Sequence, residues 1–310
     1  AAARCQGSTA TVQAVERREK TEKPPALFDL TTLQREANRT LGYTAQQTLD
    51  YLQALYDKKF STYPRTDSRY LTDDMEAGVP ALVEAAAPPS ICGVAAPETV
   101  LAGQVCDSAR VSDHHAVVPT ASAGRADLEA LPIGEREILR LVSLGLLRAV
   151  CPPCRSAETC ITAVCGGDPY TVKWRSVLSP GWKVYAQTAD AEAGSGPDGL
   201  TEGQTLPVAA AKIKTGKTTP PKHHTEDSLL SAMETAGKED MPEDAERQGI
   251  GTPATRATIL EKLVSAGFVG AEKSKENSLS PAHAPGNGPH HGAAGAVTVP
   301  PRSPPSGSIG

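Results

Sequence analysis

Residues 61–71 read STYPRTDSRYL, and the side chains able to do chemistry there stand two apart: the phenol of Tyr63, the guanidinium of Arg65 and the carboxylate of Asp67. A residue before proline is pushed out of the α region. The stretch is therefore predicted to be extended, with Tyr63, Arg65 and Asp67 on one side. A phenol is a reasonable nucleophile toward a phosphodiester, because phenolate is also a good leaving group when the reaction reverses. Phenols ionise near pH ~10, so such a reaction needs a neighbour that favours the charged oxygen and neutralises the phosphate. A guanidinium fork suits both tasks, and Asp67 is placed to orient it or to handle a proton. The plain alternative is a half-buried surface tyrosine among solvated charges, Arg65 and Arg69.

Further candidates lie downstream. In SDHHAVVPT, at 112–120, His114 and His115 offer imidazoles that hold a phosphate or move a proton; the plain reading is a polar turn before Pro119. Lys222, His223 and His224 precede a predicted helix at 226–236. At 249–263, GIGTPATRATILEKL places Thr252 at a helix cap and Pro253 at the first helical position, with Gly267 just past the end. A helix N-terminus of that kind is a ready phosphate site. Cys151, Cys154, Cys160 and Cys165 are spaced C-x2-C-x5-C-x4-C, unlike the usual zinc ribbons and fingers; no metal ligand is assigned to them.

The elements that must position these groups are legible in part. Residues 13–25 are charged and end in Pro24-Pro25, which reads as a linker, and residues 1–12 show no recognisable element. Helices are expected at 31–38 and 44–57. In the second, Thr44 and Gln47 fit a capping box, and Ala45, Leu49, Leu52 and Tyr56 recur at helical spacing. Residues 80–103 carry little pattern. A helix is expected at 135–150, with Ile138, Leu141, Val142 and Leu146 on one side. From Glu158 to Gln187 the period becomes two, giving a hairpin series with a Gly-Gly turn that includes GWKVYAQ as a strand. Residues 189–204 read as a polar loop. Residues 281–310 hold seven prolines and six glycines and are expected to be disordered.

Across its 310 residues the chain has 31 Lys and Arg against 36 Asp and Glu, a formal net charge of -5, so any surface for nucleic acid must be local. There is no run of eighteen apolar residues and no charged-then-apolar leader. Seven cysteines without a secretion signal argue for reduced thiols in a cytoplasmic compartment. The chain begins with Ala and reads as a piece of a longer protein.

STYPRTDSRYL, SDHHAVVPT, PPKHHTEDSLLSAME (220–234) and GIGTPATRATILEKL occur in that order, with LFDLTTLQREANR at 27–39 before them. Together they resemble the type IA DNA topoisomerases, most closely the bacterial topoisomerase III branch, over residues 20–270. The resemblance implies an α+β multidomain fold that forms part of a toroid. Residues 1–26 would be a linker or the end of a preceding arch segment, 27–150 a helical active-site domain and 151–215 a β-rich arch segment. A helical DNA-binding base segment would cover 216–275, and a disordered tail 276–310.

It also implies that Tyr63 is the nucleophile, with Arg65 and His114 as its catalytic partners. Contact with single-stranded DNA falls on Lys222, Thr225, Glu226, Thr252, Thr255 and Arg256, joined by Asp67, Arg69 and His115. The implied activity is ATP-independent cleavage of one strand through a 5′-phosphotyrosyl bond, followed by strand passage and rejoining. The complete enzyme is expected to be monomeric and bacterial, associated with nucleoid or plasmid, and to use Mg2+ held by a TOPRIM domain. The acidic ligands of that domain have no match in this sequence. The rival readings are a non-catalytic single-stranded-DNA-binding module and a chain that barely folds.

Overall fold

The computed structural model describes residues 2–87, 91, 93–186, 196, 199–237, 249–273 and 295–298. The chain divides into two compact units. One comprises residues 1–25, 97–101 and 148–220; the other comprises 26–96, 102–147 and 221–310.

The first unit is built on an antiparallel sheet. A short helix α1 (Ala2–Cys5) precedes β1 (Thr9–Glu22), and β2 (Cys154–Cys165), β3 (Asp168–Ser179) and β4 (Thr205–Pro207) complete the order β3-β2-β1-β4. β1 and β2 pair from Thr11↔Val164 to Glu22↔Cys154, and β2 and β3 from Arg155↔Ser179 to Cys165↔Asp168 around the Gly166-Gly167 turn. The segment expected to be a linker is thus mostly a fourteen-residue strand. Its charges conceal it in the sequence but are answered across the sheet. Glu19 meets Arg155 at 2.8 Å, and Glu22 meets Arg175 at 3.2 Å and Lys183 at 3.0 Å. The Lys183 hydrogen bond leads in holding the Glu22 carboxyl below its ordinary pKa. GWKVYAQ is not a strand: Gly181–Tyr185 turn as a 3-10 helix, and the Trp182 indole N–H donates to the Glu22 carbonyl at 3.1 Å.

Cys154 and Cys165 stand at opposite ends of β2, about 36 Å apart at ~3.3 Å per residue, so the four-cysteine run cannot share one ion. Of the loop expected at 189–204, residues 189–195 and 197–198 lie outside the described residues.

The second unit is mainly helical: α2 (Leu30–Leu41), α3 (Ala45–Asp57), α4 (Val79–Ala86), α5 (Ile133–Ala149), α6 (Glu226–Thr235) and α7 (Pro253–Ser265). Each of α2, α3, α6 and α7 starts on a reciprocal capping box, led by Asp29, Thr44, Thr225 and Thr252. These boxes satisfy N–H groups that a helix leaves open. The apolar face of α3 is Ala45, Leu49, Leu52 and Leu55, all buried, while Tyr56 is 38% exposed. A smaller core joins Leu230 and Met233 of α6 to Ala257 and Leu260 of α7 and to Ala45 of α3. α4 formed where no pattern was expected.

Residues 295–298, expected to be disordered, form β6 (Gly295–Thr298) and pair antiparallel with β5 (Gly270–Lys273); the rest of 281–310 lies outside the described residues. Among the described residues no helix is long and apolar enough to cross a membrane.

In α5, Gly145 faces the ring of Phe28, which a Cβ at that position would overlap. Alanine ordinarily favours a helix interior over glycine by about 1 kcal/mol. Here Gly145→Ala is expected to destabilise by about 1–3 kcal/mol, because overpacking displaces a buried ring. Urea unfolding reads this as a lower midpoint at constant slope, and a raised midpoint would refute the packing argument.

Candidate functional site

The stretch around Tyr63 is held extended by hydrogen bonds, most of them to backbone, although it is not part of a sheet. α3 ends with Lys59 at φ 66, the Lys59 N–H bonded to the Tyr56 carbonyl and the Phe60 N–H to the Leu55 carbonyl at 2.9 and 2.8 Å. That double bond is a left-handed helix stop, and it turns the chain into residues 60–63. The Thr62 N–H then donates to the Val118 carbonyl at 3.1 Å and its hydroxyl to the Ala116 carbonyl at 3.0 Å. The Thr66 carbonyl receives the Leu30 N–H at 3.1 Å, and the Thr66 hydroxyl donates to the His114 carbonyl at 2.8 Å. The consequence is a period of two: Pro64, Thr66 and Ser68 are buried, Arg65 and Asp67 are exposed, and Tyr63 is half-buried.

Tyr63 stands between two rings. It lies on His114 with centroids 4.1 Å apart and planes tilted 33°, and meets Tyr56 edge to face at 5.7 Å. Among the described residues its hydroxyl makes no hydrogen bond and the Arg65 guanidinium has no partner. Both are free to meet a ligand.

Beside them opens a cleft of about 570 Å3. Its walls combine Arg65, Thr66 and Asp67 with Ser112, Asp113 and His114, with Asp29 before α2, and with Glu234 near the end of α6. The last wall is the start of α7, from Gly251 to Ala254, with Arg256. Gly249 and Gly251 both have positive φ, 94° and 68°, and the Ile250 N–H donates to the Met233 carbonyl at 2.7 Å. The two glycines in GIGT thus permit the turn that aims the α7 N-terminus at the cleft.

Several expected DNA contacts are placed elsewhere or otherwise engaged. Arg69 donates to the Leu27 and Ala26 carbonyls at 3.0 and 3.4 Å, outside the cleft lining. The His115 ring shares a hydrogen bond of 2.9 Å with the Ala116 carbonyl. Arg256, 5% exposed, lines the cleft but ties α7 to α2, donating to the Ile250 carbonyl at 3.2 Å and the Thr31 hydroxyl at 2.9 Å. Thr252 reaches the cleft, while the Thr255 hydroxyl accepts the Thr252 N–H at 2.9 Å. Thr225 caps α6 and Lys222 is exposed, both outside the cleft lining. Glu226 accepts the Ala45 N–H at 2.6 Å, so it caps α3, while its neighbour Asp227 pairs with Arg35 at 2.8 Å.

Sequence reasoning missed Asp29, Ser112, Asp113 and Glu234. For Asp29 a signal existed: DLTT is an N-cap pattern, and its carboxylate accepts the Thr32 N–H at 2.7 Å. Burial leads in pushing its pKa up. Ser112 donates its hydroxyl to Asp67 at 2.9 Å. Mg2+ does not fit the donors present: among the described residues no three His, Cys, Asp or Glu side chains are disposed to hold a metal. Asp29 is committed to its helix cap and Asp67 to Ser112.

A family profile described as DNA topoisomerase matches residues 1–284. DNA topoisomerase 3 of Bacillus licheniformis is 35% identical over 296 residues, covering 87% of this chain and 39% of that protein. The Bacillus subtilis protein of the same name is 36% identical over 280 residues, covering 83% and 38%. The full-length topoisomerase I structure from Thermotoga maritima superposes with a TM-score of 0.65 at 23% identity, over 86% of this chain and 42% of that one. That likeness supports the α+β fold. The chain spans about two fifths of the length of these relatives.

Burial raises the Glu226 pKa above its ordinary value near 4.5, outweighing the Ala45 N–H that lowers it. Between the ordinary and the raised value the folded state binds more protons than the unfolded one. Stability therefore falls as pH rises through that window. Glu226→Gln keeps an acceptor for Ala45 and removes the charge. Relative to wild type its stability should improve as pH rises above the ordinary carboxylate value near 4.5, read in urea titrations. A pH-independent difference would contradict this.

Proposed function

We propose, for a chain that belongs to the DNA topoisomerase family, that it carries the strand-cleaving tyrosine of a type IA enzyme and that this tyrosine is Tyr63. The observation that carries the reading is the stacking of Tyr63 on His114 beside the cleft, with an unbonded hydroxyl and with Arg65 on the same face. In the proposed step the Tyr63 oxygen attacks a backbone phosphorus of a single DNA strand. The O–P bond forms as the bond to the 3′ oxygen breaks, leaving a 5′-phosphotyrosine and a 3′ hydroxyl. The phenol gives up one proton and the leaving oxygen takes one. Reversal reseals the strand with no loss of bond energy, so no ATP is required. Strand passage between the two steps would change DNA topology.

Roles follow from geometry. The Tyr63 and His114 rings overlap at a tilt of 33°, and among the described residues no hydrogen bond joins the imidazole to the phenol oxygen. That arrangement favours His114 as a group that orients the phenol and reaches a phosphate oxygen, over a base acting on Tyr63. Arg65 stabilises the charge that grows on the phosphate. Thr252 and the α7 N-terminus provide a second place for backbone phosphate. We assign Mg2+ and its chemistry to residues outside this chain. A DNA substrate puts the protein in the bacterial cytoplasm, with nucleoid or plasmid.

The test follows the polarity of the bond. A single-stranded oligonucleotide labelled at its 3′ end is incubated with the protein, with and without Mg2+ and an added TOPRIM domain. Denaturing electrophoresis should show labelled protein with wild type and none with Tyr63→Phe. Arg65→Ala should slow adduct formation about 100-fold, the scale for losing one donor to a transition-state oxyanion. An adduct that persists in Tyr63→Phe would overturn the assignment. No adduct under any condition, from folded protein that still binds the strand, would leave the binding-module reading.

A further inference from the structure

Between Gly203 and Thr225 the sequence contains no acidic residue and four lysines, Lys212, Lys214, Lys217 and Lys222, in a chain whose formal net charge is -5. Residues 208–225 belong to no helix or strand, and 212–225 are exposed throughout. Among the described residues none of the four ammonium groups has an ion-pair or hydrogen-bond partner. An exposed lysine beside a carboxylate does pair, as Lys58 does with Glu135. Ile213, between two of the lysines, is 80% exposed. A spacer that only connects elements needs neither this charge nor the exclusion of acids. Like charges along an open segment repel and keep it extended, which costs stability unless a polyanion neutralises them.

We infer that residues 212–219 are a track for the backbone of single-stranded DNA, with Lys212, Lys214 and Lys217 as phosphate contacts and the hydroxyls of Thr215, Thr218 and Thr219 as supporting donors. The inference rests on the reading that DNA is the substrate. It adds a second binding segment, one that sets affinity without touching the reacting phosphate. Such contacts carry no sequence information, so the track accepts any base sequence.

The experiment compares wild type with the triple variant Lys212→Gln, Lys214→Gln, Lys217→Gln in fluorescence-anisotropy titrations. The probes are oligothymidylates of about six and about thirty nucleotides, at salt from about 50 to about 200 mM. Each phosphate contact contributes about 0.7 to the salt slope on single strands, so the variant should lose about 2 from the slope with the long probe. Across that fourfold change in salt, this makes wild-type binding fall about 20-fold more than binding by the variant. The short probe should bind both proteins alike, and thermal melting should coincide, because among the described residues these ammonium groups make no ion pair or hydrogen bond. Equal slopes with the long probe, or no binding of it by wild type, would overturn the track. Adduct formation at Tyr63 is read separately. An adduct with equal slopes rejects the track alone, and a slope change without an adduct rejects the cleavage reading alone.

Discussion

The site depends on the backbone of residues 60–71 being held extended away from any sheet. An extended chain has a side-chain period of two, and its polar backbone groups need partners when they are buried. Both demands are met together: Thr62, Thr66 and Ser68 spend their hydroxyls on carbonyls of residues 110–116, while the Leu30 N–H comes in to Thr66. Once Pro64, Thr66 and Ser68 are fixed inward, Tyr63, Arg65 and Asp67 have only the outward face. The buried threonines and serine of STYPRTDS are thus as necessary to the site as the groups that face solvent.

The helices serve this segment. α3 delivers the chain through its left-handed stop at Lys59, and α2 begins where Asp29 borders the cleft. α6 is locked to both by its first two residues, Glu226 on the α3 N-terminus and Asp227 on Arg35. Arg256 performs the same service between α7 and α2. These are charged groups in motifs that sequence reasoning assigned to DNA. Their positions make them clasps that keep three helix N-termini in register, with Thr252 the member that reaches the cleft.

What could be read from the sequence separates along physical lines. Capping boxes are local, so Thr44-Gln47 and Thr252-Pro253 were legible, as was the period of two that aligned Tyr63 with Arg65. β1 was not, because Glu19 and Glu22 are answered by Arg155 and Arg175 of β2 and β3 and by Lys183 of the following 3-10 turn, all more than a hundred residues away. The same holds for Glu226 and Arg69, whose partners are backbone groups remote in sequence. A motif shows which residues travel together; it does not show which of them face the ligand. Burial divided them, leaving Arg65 outside and Arg256 within.

Charge then assigns different tasks to different parts of the chain. The cleft is lined by four carboxylates, Asp29, Asp67, Asp113 and Glu234, against Arg65, Arg256 and His114. Such a lining is no attractive well for a polyanion at a distance. On the proposed reading it suits discrimination at close range, where the Arg65 guanidinium, unpaired among the described residues, and one imidazole would meet a single phosphate and the carboxylates would exclude others. On that reading long-range attraction must come from exposed charge without a partner among the described residues, which is the character of Lys212, Lys214 and Lys217. Separating the two would then let a strand be held by contacts that survive when the bond at Tyr63 is open. If the chain cuts a strand as proposed, the two ends must not be lost, and that is the physical reason for keeping the charge that holds apart from the charge that reacts.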